Sequence, residues 1–288
     1  MLQVVALAAF RLSRSRPAGQ DCPPHTKTAP RAAAPADGDH VGLDPSQARL
    51  KKMPELDAGR PFRNKLLSLV QGQHRDALRG ELTLVEIKAG EVLERANQPI
   101  THVYFPESGI ASLIVTDGRT RRMEAGPFGR DGMSGVAVIL DAGQTPHETL
   151  VQVPGSAYRM PAENLTRILD ADPAMRRLFL RYAQAFAIQT AQTALAAAHA
   201  VLEVRLARWI LMLHDRVDGD EFSLTHDFMS LMLAVRRPGV TVALHELEGR
   251  GLIRSKRGWL LVRNRKGLEL ACRGLYGVPE AEYARLIG

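Results

Sequence analysis

RRPGVTVALHELEGRGLI, Arg236 to Ile253, decides how this chain is read. Two arginines precede a proline, and an apolar rhythm at helical spacing follows. The helix dipole disfavours positive charge at a helix N-terminus. The pair therefore implies something negative in front of it. Pro238 is tolerated in a first turn, where its missing N–H would lack a partner anyway. Val240, Leu244 and Leu247, at steps of four and three, predict a buried face. Arg237, Thr241, Val242 and His245 are left pointing outward.

Upstream, LTHDFMSLML from Leu224 to Leu233 predicts another helix. Thr225 is its N-cap, Phe228, Leu231 and Met232 have helical spacing, and Ala234–Val235 forms a short turn. Two helices joined by a tight turn make a helix-turn-helix, in which the second helix reads DNA. Downstream of Gly249 and Gly251, LIRSKRGWLLVRN reads as two strands around Gly258, a β-wing. The free amides at the start of the second helix suit a phosphate. The expected DNA-contacting residues are Thr225, His226, Arg236, Arg237, Pro238, Gly239, Thr241, Val242, His245, Lys256 and Arg257.

Charge supports this placement. Over its 288 residues the chain has a formal net charge of +7. Arg236 to Arg273 holds ten Lys/Arg against three Glu, a net +7 that equals the charge of the whole chain. The rest is balanced. Such a basic segment suits a polyanion.

The remaining length is enough for two domains. Residues 1–59 read as a tail, with Pro, Ala and Gly dense between Pro17 and Asp44. It is either a flexible arm or upstream sequence, with the working start at Met53. FRNKLLSLVQGQHRDALRGEL has helical spacing. From Thr83 to about Tyr158 short β-prone pieces alternate with turn signals, which predicts a barrel or sandwich over 60–171. Asp172–Pro173 caps a long helix over 172–200. Met175, Phe179, Tyr182, Phe186 and Gln189–Thr190 lie near one stripe of it. The stripe becomes alanine-rich farther on, which invites a second copy of the same helix. A second helix, LEVRLARWILMLHDRV, opens the C-terminal domain, 201–288, with a hinge expected near Ala200–Val201. DGDE, 218–221, reads as a loop.

Two cysteines, Cys22 and Cys272, exclude a cysteine-ligated metal, an iron–sulfur site and a disulfide framework, and fit a reducing cytosol. No apolar run has membrane-spanning length, so no membrane partner is expected. No nucleophile–base pair, paired carboxylates or metal-ligand spacing marks an enzyme. His102, His147, His199, His214 and Glu148 are scattered.

The segment LTHDFMSLMLAVRRPGVTVALHELEGRGLI closely resembles the Crp/Fnr family of bacterial transcription regulators. The likeness runs over roughly residues 60–280. It implies an α+β chain: a cyclic-nucleotide-binding-like β-barrel (jelly roll), a long dimerisation helix and a winged helix-turn-helix. It further implies a cytoplasmic homodimer on double-stranded DNA, with RNA polymerase as a further partner. A ligand-sensing module acting through protein contacts is the alternative. Thr225 matches the family's phosphate-touching threonine and Arg237 its first base-reading arginine. Two positions depart: Pro238 and Val242 stand where the best-known reader has Glu and Arg. The barrel departs further. In FGRDGMSGVAVILDAGQTPHETLVQV, Phe128–Gly129 matches the start of the phosphate cassette, but Arg130 replaces its glutamate and His147–Glu148 its Arg-Ser. Cyclic AMP or GMP is therefore not expected, no cofactor is identified, and no haem or iron–sulfur signature is present. Arg130, His147 and Thr190 are the remaining candidates for an effector site.

Overall fold

The structure is a computed structural model that describes residues 61–118, 121–256 and 258–288. These residues belong to the compact unit Lys52–Gly288. The tail reading for residues 1–59 lies outside them, and so does Arg257.

Two short helices open the described chain, α1 (Lys65–Leu69) and α2 (Gly72–Gly80). The stretch with helical spacing is thus divided between two helices. It breaks at extended Val70 and Gln71, and Gly72 has φ 60. Seven strands follow: β1 (Thr83–Ile87), β2 (Val92–Glu94), β3 (His102–Pro106), β4 (Ile110–Thr116), β5 (Arg122–Phe128), β6 (Glu148–Val153) and β7 (Gly155–Pro161). The helical turn α3 (Val136–Ile139) lies between β5 and β6. Every pairing is antiparallel, in two sheets of order β1-β7-β3 and β2-β6-β4-β5. The strands alternate because one face is buried. In β3, Val103 and Phe105 are fully buried, while His102 and Tyr104 are only half-buried.

The helices α4 (Ala162–Ala171) and α5 (Pro173–His199) come next. Asp172 caps α5, its carboxylate accepting from the N–H groups of Ala174 (2.8 Å) and Met175 (3.2 Å). Met175, Phe179, Tyr182, Phe186 and Gln189 are all buried against the chain's own barrel. Phe179 meets Phe105 edge-on at 6.1 Å, and Phe186 meets Phe128 at 6.4 Å. The predicted stripe thus faces inward, and its continuation, Ala196, is buried too. The exposed alanines, Ala187, Ala191, Ala194 and Ala198, lie on the other side of α5 with the partly exposed Leu180 and Leu195.

Ala200 and Val201 are extended and separate α5 from α6 (Leu202–His214). The rest comprises β8 (Glu221–Ser223), α7 (His226–Leu233), α8 (Arg237–Gly249), β9 (Ile253–Lys256), β10 (Trp259–Val262), α9 (Arg265–Ala271) and α10 (Val278–Ile287). Glu221, read above as loop, is in β8 because Phe222 is buried and Glu221–Ser223 pairs with β10. The third sheet has the order β8-β10-β9.

Two joints tie α6 and its surroundings to the barrel. In the first, Ile110, Ile114 and Leu150 share one core with Leu206, Ile210, Met229 and Leu244. Trp209 Nε1 donates to buried Glu124 at 3.0 Å, and Ser112 Oγ donates to the same carboxyl at 2.7 Å. In the second, buried Arg216 pairs with Asp131 at 2.6 Å and donates to Gln189 Oε1 at 2.8 Å. Last in the chain, α10 lies along α5. Tyr283 donates its hydroxyl proton to the Asp131 carbonyl, and Ile287 joins the barrel core.

Candidate nucleic-acid interface

The two helices of the motif are set by local chemistry. Thr225 Oγ1 accepts from Phe228 N–H at 3.2 Å, capping α7. Ala234 then turns the chain in the left-handed region, φ 51. Arg236 occupies the N-cap of α8 without a side-chain capping bond, and Pro238 falls in the first turn. The Arg236 carbonyl accepts from Gly239 N–H at 2.9 Å. Val240, Ala243, Leu244 and Leu247 are buried. Gly239 packs near Leu202 of α6, where a Cβ would meet Leu202 Cδ2 at 3.2 Å.

Opposite this buried face the predicted residues come together. Arg236, Arg237, Pro238, Val242 and His245 are exposed, and Thr241 is half-buried. Thr241 Oγ1 lies 3.4 Å from His226 Nδ1, which brings the first residue of α7 onto the surface of α8. Pro238 has no N–H and Gly239 N–H is already bonded to Arg236, so what the α8 N-terminus presents to a phosphate is two exposed guanidiniums at the positive end of the helix dipole. Val242, 58% exposed, offers only a methyl surface there, which suits a thymine methyl rather than a polar base edge.

The wing pairs β9 with β10, with Lys256 opposite Trp259 and Gly258 at φ 79. Lys256 is exposed. Not every basic residue of the segment is available to a partner. Arg265 is held by Asp215 (2.7 Å), Tyr276 and Glu269, and Arg250 pairs with Glu203.

Sequence reasoning missed three features here. Asp227 sits 3.4 Å from Arg237, with both side chains largely exposed. An acid in the first turn of α7 has its own helix-dipole reason to be there. Trp259 is 50% exposed on the wing. A groove of about 1060 Å³ separates the β4–β5 hairpin from the α7–α8 turn, with Arg121, Arg122 and Arg236 in its walls. A groove formed by residues so far apart in the chain has no local signal.

The effector candidates separate. Thr190 lines a barrel cavity together with α3 and α5. Arg130 is held by Asp218 and donates to the Val217 carbonyl at 3.0 Å. His147 does not line that cavity. Phe128–Gly129 closes β5, and the helical turn of this loop starts after Gly135 with Val136, six residues beyond Arg130. The stretch offers two aromatic-or-small–glycine sites, and only Gly135, at φ 80, precedes the turn.

Barrel, long helix and winged helix-turn-helix in this order define a type of DNA-binding transcription regulator. Residues 204–271 match the Crp-like helix-turn-helix domain and residues 84–172 the cyclic nucleotide-binding domain. The chain belongs to the Crp/Fnr family of transcriptional regulators. Similar solved structures include a transcriptional regulator of that family from Eubacterium rectale, with 17% identity and TM-score 0.56, covering 71% of this chain and 96% of that one. FixK2 from Bradyrhizobium japonicum has 15% identity and TM-score 0.56, covering 66% of this chain and 96% of its own. A CooA double mutant from Carboxydothermus hydrogenoformans has 15% identity and TM-score 0.54, covering 74% and 98%. At these identities the likeness is one of fold. No curated protein matches the chain in sequence. Among the described residues no helix is long and apolar enough to cross a membrane, and no group of three or more His, Cys, Asp or Glu is placed to hold a metal ion.

Proposed function

We propose that this regulator binds a pseudo-palindromic operator as a homodimer in the cytoplasm, and that it acts there with RNA polymerase. The carrying observation is the exposed α8 N-terminus, with Arg236 and Arg237 outside and Val240, Leu244 and Leu247 locked inside. Two such helices one turn of DNA apart would enter successive major grooves. The exposed Ala187, Ala191, Ala194 and Leu195 face of α5 supports dimerisation, since small residues let two helices approach closely. Arg237 is the base-reading residue; Thr225, Arg236 and Lys256 serve phosphates, and Ala200–Val201 is the hinge.

Selection of bound sequences followed by gel shift tests this reading. Arg237→Ala is expected to cost about 1–3 kcal/mol of binding and to relax preference at one base pair per half-site. Affinity should fall steeply with salt. Unchanged affinity and sequence preference in Arg237→Ala would remove the assignment.

A further inference from the structure

Family membership points to a cyclic nucleotide in the barrel, and the residues present do not fit one. A cavity of about 330 Å³ lies between the second sheet, the α3 loop and α5. Leu113, Phe128, Met133, Val136, Ala183 and Phe186 form much of its wall, and none of its lining residues is Lys, Arg or His. A cyclic nucleotide carries a permanent phosphate charge. Burying that charge without a cation or free donors is strongly unfavourable.

Two donors at the cavity, one on either side of it, are already engaged. Glu94, 6% exposed, reaches the cavity from β2. Its Oε1 accepts from Gly135 N–H, and its Oε2 accepts from Thr149 Oγ1 at 3.0 Å. One donor is the amide of the left-handed glycine ahead of α3; the other is a hydroxyl on β6. Both point at a carboxyl group that belongs to the protein itself. Only glycine fits there, since a Cβ would meet Val103 Cγ1 at 2.4 Å. Burial pushes the Glu94 pKa up against the hydrogen bonds it accepts from Ser134, Thr149 and Gly135. Ionised, it repels an incoming anion; protonated, it leaves the cavity without any charge.

We propose that this cavity takes an uncharged, mainly apolar small molecule, and that Glu94 holds from within the donors an anionic ligand would need. The volume falls in the range of small-molecule sites, ~300–1,000 Å³. The cavity includes Ala187, which is exposed on the α5 face proposed for dimerisation, so occupancy would be felt there. The inference rests on the reading of the barrel as the regulatory half of a DNA-binding protein.

The test uses the full chain and N-phenylnaphthylamine, a neutral fluorescent probe. Saturable binding at one site per chain is expected, displaced by decanol but not by cyclic AMP, cyclic GMP or decanoate. Ala183→Phe, which fills the cavity, should weaken the probe at least about tenfold. Glu94→Gln, nearly isosteric, should keep the probe and let decanoate compete. Glu94→Gln and the competition series decide the matter even if Ala183→Phe does not fold. Displacement of the probe by a cyclic nucleotide would overturn the proposal. So would unsaturable probe uptake, full probe affinity in a folded Ala183→Phe, or decanoate competing equally with and without Glu94. Gel shifts on the same samples keep the two readings apart. Lost probe binding with intact operator binding sinks only the cavity proposal, whereas lost operator binding strikes the regulator reading.

Discussion

The bond between Trp209 and Glu124 joins the first helix of the DNA-binding half to the barrel, and its strength can be isolated. Trp209 is 4% exposed and Glu124 2% exposed, with Nε1–H donating at 3.0 Å. A hydrogen bond to an ionised partner contributes ~1.5–3 kcal/mol, and one to a neutral partner ~0.5–1.5 kcal/mol. Trp209→Phe keeps an aromatic ring but removes the donor. Glu124→Leu removes the acceptor. Each single change also alters packing, so the coupling must come from a double-mutant cycle in urea, where the packing contributions cancel. A coupling of about 2 kcal/mol is expected while the carboxyl is ionised, or roughly 4–8 °C in Tm for a chain of this size. Burial raises the Glu124 pKa, opposed by the hydrogen bonds from Ser112, Trp209 and Gln152. Below the ordinary glutamate range of about 4.3 both folded and unfolded chains carry the proton, and ionisation makes no difference. Above that range the unfolded chain releases its proton first, so stability is lost as pH rises through the folded value. The wild type should therefore fall behind Glu124→Gln with rising pH, while the Trp209 coupling grows. A coupling below about 0.5 kcal/mol across the whole pH range would refute the reasoning.

Other consequences are simpler to check. Asp172→Ala should cost about 1 kcal/mol in urea unfolding, because two amides at the start of α5 lose their acceptor. The Asp172 pKa is lowered, first by the Met175 N–H and then, against desolvation, by the Ala174 N–H. Its contribution should therefore be present above the ordinary aspartate range and disappear as pH falls below it. Gly135→Ala should destabilise by roughly 2–4 kcal/mol in thermal melts, combining a left-handed backbone with a clash against Val103. Ala191→Glu places a charge on the exposed α5 face, and sedimentation velocity should show a monomer whose circular dichroism is unchanged.

The helix-turn-helix was legible because its signals are local. The Thr225 cap, the Ala234–Val235 turn and the Val240–Leu244–Leu247 spacing lie within a few residues of the bonds and contacts they make. The start of α5 was legible for the same reason. Its orientation was not. Both faces carry large apolar and small residues, and only the barrel shows that Phe179 and Phe186 turn inward while Leu180 and Leu195 do not. The barrel cavity was legible only through Thr190. Glu94 lies 41 residues from Gly135 and 55 from Thr149, so a lone acid in a three-residue strand gave no hint of its bonds. The Asp227–Arg237 pair shows the limit at shorter range, since it exists only because the turn folds α7 back on α8.

The packing of α10 along α5 bears on how the DNA-binding half can move. That half leaves the long helix at Ala200–Val201, and its last helix packs back along α5 while Tyr283 and Ile287 fasten it to the barrel. A body fastened at one end can swing like a door, but one fastened at both ends can only twist between its anchors. A large reorientation of the reading helices would have to peel this last helix, Val278–Ile287, off the long helix as well as break the Trp209–Glu124 and Arg216–Asp131 joints. The C-terminal helix is thus a clasp, added to the joints at α6, against any turning of the DNA-binding half on the barrel.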